Sequence, residues 1–284
     1  MTAKQSKAQA KVEAKVENKA HGKVYVGIGG WNFPPWRGVF YPKGLPQAKE
    51  LDYAGQHLSA IEINATYYGS QKPESFRKWA ATVPDGFKFS VKASRFATNR
   101  RVLREAGDSI KRFIGSGVTE LGDRLGPLLW QFAPFKKFDE ADFGGFLELL
   151  PAEADGHTLQ HVVEVRHDSF RTPAFVALIR KFNVAVVYAE HATYPGIADV
   201  TSDFVYARLQ KGKDDIATAY PPKALDDWAG RVSTWAQGGA PADLETVDAG
   251  HKLKETPRDV YAYFIHEGKV RAPAAAMALI ERLK

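Results

Sequence analysis

Residues 162–170 read VVEVRHDSF, a stretch in which valines alternate with ionisable side chains. This period of two is typical of a β-strand, whose successive side chains point to opposite faces. Val163 and Val165 therefore share one face, and Glu164 and Arg166 share the other. Because a charge buried alone costs several kcal/mol even after relaxation, the stretch predicts a strand whose second face meets further polar groups.

Strands of this kind recur along the chain and alternate with amphipathic helical segments. The strand candidates are KVYVGIGG (23–30), AIEINATYY (60–68), FKFSVKA (87–93), LGPLLWQF (125–132), HVVEVR (161–166), VAVVYAE (184–190), DFVYARLQ (203–210) and DVYAYFIH (259–266). The helical segments lie at 73–83, 172–182, 223–237 and 272–283, and a further helix is expected somewhere within 108–120. Eight strands that alternate with helices predict an α/β fold of the (β/α)8 TIM-barrel type. A doubly wound sheet is the alternative, but GIGGW (27–31) lacks the glycine-rich nucleotide loop that usually follows the first strand of that fold.

The positive charge of the chain is concentrated at its N-terminus. Residues 1–23 hold six lysines against two glutamates, which accounts for four of the six net positive charges. We expect residues 1–22 to form a flexible Ala/Lys-rich tail, because it offers little more than Val12 and Val16 to bury. Residues 23–284 then form a single TIM-barrel domain of nearly balanced charge. An electrostatic arm that binds nucleic acid is the alternative interpretation of the tail.

Composition excludes several classes of site and setting. The chain has no cysteine, so it has no disulfide, no thiolate nucleophile and no cysteine-ligated metal cluster. No apolar run approaches the roughly 18 residues that a membrane span needs, and the N-terminus shows no secretory signal. We therefore expect a cytoplasmic protein without a membrane partner.

Alternation in the other strands assigns further polar side chains to the barrel axis. Ile61 and Ile63 pack on helices, which turns Glu62 inward, and the same argument applies to the remaining strands. The inward polar set is Glu62, Asn64, Lys88, Ser90, Lys92, Gln131, Glu164, Arg166, Tyr206, Arg208 and Tyr263. Its four cations exceed its two carboxylates, which favours a small anionic or sugar-like ligand, with Arg166 or Arg208 binding oxyanions. An internal salt-bridge network that only fills the barrel is the alternative.

Aromatic side chains follow the first two strands, at the end of the barrel where such folds place their chemistry. Trp31, Phe33 and Trp36 come after the first strand, and Tyr67 and Tyr68 end the second. Their rings could stack on sugars or bases, or they could form an apolar lid over the barrel mouth.

Several of these stretches together resemble the YecE-like family, also called domain-of-unknown-function family 72. They are GIGGWNFPPWRGVFYP (27–42), EINATYYG (62–69), FKFSVKA, LLWQFAP (128–134), VVEVRHDSF, VYARLQKG (205–212) and VYAYF (260–264). The resemblance implies a TIM barrel, a cytoplasmic prokaryotic setting and a loose kinship with sugar-isomerase-type barrels, but no reaction. The family's recurring polar residues correspond to Glu62, Asn64, Tyr67, Lys92, Gln131, Glu164, Arg166, His167 and Arg208. The chain departs from the family where the last strand ends in Ile265 and His266 instead of an asparagine pair, and where RFATNRR (95–101) lacks a histidine.

We expect an enzyme of the isomerase or lyase type that acts on a carbohydrate-like molecule. Proton abstraction next to a carbonyl needs a tuned carboxylate beside a cation. Glu62 or Glu164 would be the base, and Lys92 the acid or electrostatic stabiliser. The substrate-binding residues would be Asn64, Tyr67, Gln131, Arg166, His167, Arg208, Trp31, Trp36 and Tyr263.

Four alternatives stay open. A divalent metal is not favoured, although His167, Glu190 and His191 lie near strand ends, because no compact ligand motif is present. A glycoside hydrolase would use Glu62 and Glu164 as its two carboxylates. A nucleic-acid-binding or nucleic-acid-processing barrel would use the lysine tail and the aromatic residues, but the balanced charge of the body does not favour it. A non-catalytic binding protein would bind the same ligand without turnover.

Overall fold

The computed structural model describes residues 21–284, apart from the side chain of His266, and in it eight parallel strands close into a barrel. The strands are β1 (Val24–Gly29), β2 (Ala60–Ile63), β3 (Lys88–Lys92), β4 (Leu125–Gln131), β5 (His161–Glu164), β6 (Ala185–Glu190), β7 (Phe204–Lys211) and β8 (Asp259–Glu267). Each strand pairs with its neighbours in the sequence, and β1 closes the sheet by pairing with β8. The predicted (β/α)8 barrel is therefore confirmed.

Helices cover most of the outside of the barrel. They are α1 (Glu50–His57), α2 (Pro73–Thr82), α3 (Gly107–Ile114), α4 (Glu140–Glu148), α5 (Pro173–Lys181), α6 (Pro222–Ala236) and α7 (Ala272–Arg282), and a four-residue helix, Arg95–Thr98, precedes α3. Proline opens α2, α5 and α6, where its fixed φ suits the first turn and its missing N–H would have had no partner.

The connection between β6 and β7 contains no helix. Residues 191–203 run as a loop, and the Asp199 carboxylate accepts hydrogen bonds from the N–H groups of Val247 (2.6 Å) and Asp248 (2.9 Å). These two partners belong to the long segment between α6 and β8, which is also not helical. Two irregular segments bound to each other therefore cover the side of the barrel where a helix would otherwise lie.

Two apolar layers position the polar groups of the barrel. The outer layer lies between strands and helices and contains the side chains that alternation assigned to it, such as Ile61, Val163 and Ala207. The inner layer fills the amino end of the barrel, where Tyr25 stacks on Tyr261 with 4.9 Å between ring centroids. The polar side chains near the carboxyl ends of the strands thus lie above an apolar floor.

One predicted element ends earlier than expected. The second strand was predicted to run to residue 68, but β2 ends at Ile63 and a 3-10 turn, Ala65–Tyr67, follows because Asn64 has helical backbone angles. The helix expected somewhere within 108–120 is α3, after which Gly117, with φ of 101°, turns the chain into a 3-10 segment. The helices α1 and α4 were not predicted.

The predicted tail lies almost entirely outside the described residues, which begin at His21. Gly22 already belongs to the fold, because its N–H donates to the carbonyl of Ala236 at 3.0 Å. Among the described residues, no helix is long and apolar enough to cross a membrane.

Gly27 allows β1 to pair closely with β2. A Cβ at this position would lie 2.0 Å from the carbonyl oxygen of Ala60 and 3.2 Å from the ring of Tyr263. We expect Gly27→Ala to lower the free energy of unfolding by at least about 3 kcal/mol, because the backbone of the barrel would have to move. Urea unfolding followed by circular dichroism measures this change.

The matched control is Gly230→Ala in the exposed part of α6, where no atom lies within 4 Å of the added Cβ. Alanine should there raise the stability by up to about 1 kcal/mol, because glycine is the poorer helix former. A Gly27→Ala variant as stable as the parent would contradict the close approach of β1 and β2.

Candidate functional site

Four inward side chains from four strands meet at the carboxyl end of the barrel. They are Glu62 on β2, Lys92 on β3, Glu164 on β5 and Arg208 on β7, and they expose 0%, 8%, 0% and 5% of their surface. Each lies at or near the end of its strand on the face that alternation turns toward the axis. The structure thus brings together charged groups that are far apart in the sequence.

Arg208 is the centre of this cluster because it binds both carboxylates. Its Nη2 donates to Glu62 Oε1 at 2.9 Å and its Nε donates to Glu62 Oε2 at 3.1 Å, so it grips Glu62 with two nitrogens. Its Nη1 donates to Glu164 Oε2. Tyr206 and Asn64 complete the surroundings of Glu62, donating to its two oxygens at 2.7 and 3.0 Å. Both glutamates are therefore buried with a shared counterion.

Glu164 is held in its ionised form. Burial alone would raise its pKa, but the charges of Arg208 and Arg166 outweigh that effect and lower the pKa to about 2. Arg166 donates to Glu164 Oε1 through Nε (3.0 Å) and forms an ion pair with it through Nη2 (2.9 Å), and Gln131 donates to Oε2 at 2.7 Å. Glu164 is consequently a carboxylate that orients two guanidinium groups and keeps its charge near neutral pH.

The pKa of Lys92 is also lowered, but for an amine this favours the neutral form. Burial and the positive charge of Arg208 lower the pKa of its ammonium group to about 8. Its Nζ lies 4.2 Å from the centre of the Tyr67 ring, and its backbone carbonyl accepts a hydrogen bond from the Thr66 hydroxyl at 2.7 Å. The loop after β2 therefore positions the Lys92 side chain. With a pKa of about 8, its amine can both donate and accept a proton near neutral pH.

A cavity of about 530 Å³ opens above these charges. Lys92, Gln131, Arg166 and Arg208 contribute to its lining, and the ends of β7 and β8 supply Gln210 and the loop residue Lys269. Cations, amide groups and the carboxylate of Glu267 thus line a space large enough for a small molecule.

The structure assigns different places to the remaining predicted site residues. Trp36 lines the cavity and its indole N–H donates to the carbonyl of Lys269 at 2.8 Å. Tyr263 is fully buried below the charges and shares a hydrogen bond of 2.7 Å with the Ser90 hydroxyl. Trp31 does not line the cavity, because it packs on the outer layer.

His167 also lies apart from the charged cluster. Its Nδ1 is bound to Ser169, where it caps a 3-10 turn.

Lys88 was counted among the inward cations of the mouth, and this placement was wrong. Its ammonium group donates to the carbonyl of Asp123 at 2.9 Å and therefore lies at the amino end of the barrel.

Three residues at the site were missed by the sequence argument. Gln210 is the next inward position of β7 after Arg208, so its period-two spacing was a usable signal. Lys269 follows β8 in a turn, and Tyr194 lies in the loop after β6, where its ring is 4.5 Å from the guanidinium carbon of Arg166. No periodic signal marks these two loop residues.

The histidines and glutamates near the strand ends do not form a metal-ligand group. Within residues 21–284, no three His, Asp or Glu side chains converge in a way that could hold a metal ion. Glu190 is turned toward α6, where it accepts hydrogen bonds from the Tyr220 hydroxyl (2.7 Å) and the Trp228 indole (3.2 Å).

Replacing Arg208 tests how strongly the stability of the protein depends on the cation that both buried carboxylates share. We expect Arg208→Met to lower the free energy of unfolding by about 3–5 kcal/mol, because it leaves Glu62 buried without its counterion and leaves Glu164 with Arg166 alone. Calorimetry or urea unfolding measures this loss. If the single variant does not fold, adding Glu62→Gln and Glu164→Gln should restore folding, since amides need no counterion.

The control is Arg282→Met, which removes an ion pair with Asp226, a side chain that is 65% exposed. This exposed pair should contribute less than about 1 kcal/mol. Equal losses in the Arg208 and Arg282 variants would show that the two glutamates do not depend on Arg208.

Comparison with known proteins identifies relatives of this chain. The chain is 29% identical over 148 residues to the UPF0759 protein YecE of Escherichia coli K12, a match that covers 52% of this chain and 50% of the relative. It is 26% identical over 117 residues to the UPF0759 protein YunF of Bacillus subtilis, covering 39% and 40% of the two chains. The chain therefore spans about half or less of the length of the curated relatives it matches.

A solved structure shares the fold over nearly the whole chain. The crystal structure of a DUF72 family protein from Thermotoga maritima superposes with a TM-score of 0.64 and 22% identity, covering 91% of this chain and 97% of the other. The model of the family described as "Protein of unknown function DUF72" matches residues 25–284. This chain therefore belongs to the DUF72 family.

Proposed function

We propose that the barrel mouth binds a small anionic, sugar-like molecule, and that Lys92 transfers a proton to or from it in an isomerase- or lyase-type reaction. The observation that carries the proposal is the cavity of about 530 Å³ lined by Lys92, Arg166 and Arg208. Its volume is within the range of small-ligand sites, roughly 300–1,000 Å³.

The charge of the site favours an anion. Lys92, Arg166 and Arg208 are three cations beside two carboxylates, so one net positive charge remains when all five are ionised. Arg166 binds Glu164 through Nε and Nη2, and its Nη1 is left to donate to an oxyanion. A phosphate or carboxylate placed between Arg166 and Lys92 would neutralise the excess charge.

The amide side chains favour a ligand that also carries hydroxyl groups. Asn64 and Gln131 use their nitrogens to bind the two glutamates, which leaves their side-chain oxygens as acceptors. The Gln210 Nε2 is buried without a hydrogen-bond partner among the described residues. A buried donor without a partner is costly, and a hydroxyl or carbonyl oxygen of a ligand would satisfy it.

Proton transfer belongs to Lys92 in this proposal, because Lys92 lines the cavity and Glu62 and Glu164 do not. A carboxylate with a pKa of about 2, such as Glu164, is a weak base at neutral pH. An amine with a pKa of about 8 can both give and accept a proton near neutrality, which general acid–base catalysis requires. The glutamates then act by positioning Arg208 and Arg166.

A glycoside hydrolase is the less favoured enzyme. It needs one of its two carboxyl groups protonated to act on the leaving group. Glu164 is instead kept ionised by Arg208 and Arg166, and neither Glu62 nor Glu164 is among the residues that line the cavity. A binding protein without turnover uses the same cavity, and only a reaction assay separates it from an enzyme.

That assay follows proton exchange with solvent. The protein is incubated in D2O with a panel of sugar phosphates, sugar acids and their neutral counterparts, and proton NMR detects deuterium incorporation next to the carbonyl. Exchange in at least one anionic member supports an enzyme. Binding of the anions without deuterium exchange would indicate a binding protein and contradict the proposed proton transfer. Tighter binding of the neutral sugars than of the anions would overturn the proposal.

Lys92 and Lys88 provide a matched pair of substitutions on one strand. We expect Lys92→Met to abolish the rise in melting temperature that the anionic panel members cause, because it removes a cation from the cavity. Lys88→Met should keep the rise, because Lys88 lies at the opposite end of β3. Loss of the ligand effect in both variants, or in neither, would contradict the proposed site.

The affinity for anions should depend on pH through Lys92. Because its pKa is about 8, Lys92 is charged below that pH and neutral above it. We expect the affinity to be constant well below pH 8 and to fall as the pH rises through about 8, as measured by isothermal calorimetry. The Arg166→Gln variant should bind more weakly and show an inflection shifted slightly to higher pH, because the charge of Arg166 also lowers the pKa of Lys92. An affinity that does not change through this range would refute the role of Lys92.

A further inference from the structure

Three exposed aromatic rings surround one side of the barrel mouth. Among residues 21–284, four large hydrophobic side chains are strongly exposed, and three of them are Tyr68 (68%), Phe96 (63%) and Phe135 (78%). These three lie in the loops after β2, β3 and β4, which are consecutive around the barrel. Exposed apolar groups that cluster in this way mark interaction sites.

The three loops form one continuous surface. Asn99 Nδ2 in the loop after β3 donates to the Tyr67 hydroxyl in the loop after β2 at 3.1 Å. Lys136 Nζ in the loop after β4 donates to the carbonyl of Arg101 at 2.9 Å. We call residues 65–72, 94–105 and 133–137 the loop platform.

The loop platform is strongly basic. It carries seven cations, from Lys72 to Lys137, and a single carboxylate, Glu105. Within the described part of the chain, Arg95, Arg101 and Lys137 form no ion pair with a carboxylate. Arg95 lies against Phe96, with its guanidinium carbon 5.5 Å from the ring centre. Lys136 pairs with Asp142 of α4 at 2.8 Å, so the charge that is available to a partner comes from the unpaired cations of the platform.

A second concavity brings one of the rings, Phe96, together with two of the arginines. It has a volume of about 520 Å³, and its lining includes Phe96, Arg100, Arg101 and the single carboxylate of the platform, Glu105. The side chain of Arg100 is fixed there because its Nη1 donates to the carbonyl of Glu105 at 2.5 Å. An exposed ring next to two guanidinium groups can stack a flat aromatic group and bind an anion attached to it.

We propose that the loop platform binds single-stranded nucleic acid, with bases stacked on Phe96 and Phe135 and phosphates bound by Arg95, Arg100 and Arg101. Proteins that bind single strands combine aromatic rings with a basic surface in this way. An acidic peptide would use the cations but would leave the rings exposed. An apolar protein partner would have to bury unpaired arginines, which is unfavourable.

This site goes beyond the function proposed for the cavity. Tyr68 of the platform also lines the cavity, whereas Phe96, Phe135 and Arg101 do not. The two proposals can therefore fail separately.

The test uses the full-length chain and a fluorescent single-stranded oligonucleotide of about 16 nucleotides, as DNA and as RNA. Fluorescence anisotropy gives the dissociation constant over a series of salt concentrations. We expect Phe96→Ala and Phe135→Ala each to weaken binding about 5-fold or more, because stacking contributes about 1–3 kcal/mol per base. We expect Arg101→Gln to reduce the slope of log K against log salt by about 0.7.

The control is Lys181→Gln, which removes an exposed cation at the end of α5, on the amino side of the barrel. It should change the dissociation constant less than about 2-fold, because Lys181 is not part of the platform. All variants carry the same residues 1–20, so any contribution from that lysine-rich segment is common to them. Phe96→Ala should keep the thermal shift caused by small anions at the cavity.

Polyphosphate and a poly-glutamate peptide of equal charge serve as competitors. We expect both to compete more weakly than the oligonucleotide, and their binding to be insensitive to Phe96→Ala. The proposal is overturned if the parent does not bind the oligonucleotide, if the two phenylalanine variants bind as the parent does, or if either competitor matches the oligonucleotide.

Discussion

The bond network of Arg208 is the constraint on which the rest of the site depends. One guanidinium binds carboxylates on β2 and β5, two strands that are not neighbours in the sheet, and so it connects opposite parts of the barrel wall. Its charge also contributes to the lowered pKa values of Glu164 and Lys92. The charge of this buried cation therefore favours the ionised form of Glu164 and the neutral form of Lys92. Arg208 is also one of the cations that line the cavity.

The period of two predicted which residues face the axis, because successive side chains of a pleated strand point to opposite faces of the sheet. This is why Glu62, Glu164 and Arg208 were found from the sequence. The same period does not report height along the axis. Lys88 and Lys92 point to the same side of β3, yet four residues of strand place them at opposite ends of the barrel. Alternation therefore predicted the face correctly and the end incorrectly.

The loops were less predictable for a physical reason. Their side chains follow the path of an irregular backbone, so neither the contact of Tyr194 with Arg166 nor the place of Lys269 at the cavity has a pattern in the sequence. The role of each ionisable group could not be predicted from the sequence either, because it depends on which cation binds which carboxylate in the fold. The sequence marked Glu164 as important, but only its two arginine partners show that it is a poor base.

The helix-free side of the barrel has a consequence for how the molecule opens. Elsewhere a helix must unwind before the wall of strands is exposed, which requires many backbone hydrogen bonds to break together. At residues 191–203 the covering is held to its partner segment through Asp199, which binds two backbone amides. Because no helix has to unwind there, local opening of this covering would break fewer coupled hydrogen bonds than opening elsewhere. The same opening would leave intact the bonds of Arg208 to Glu62 and Glu164, which lie on the axis side of the strands.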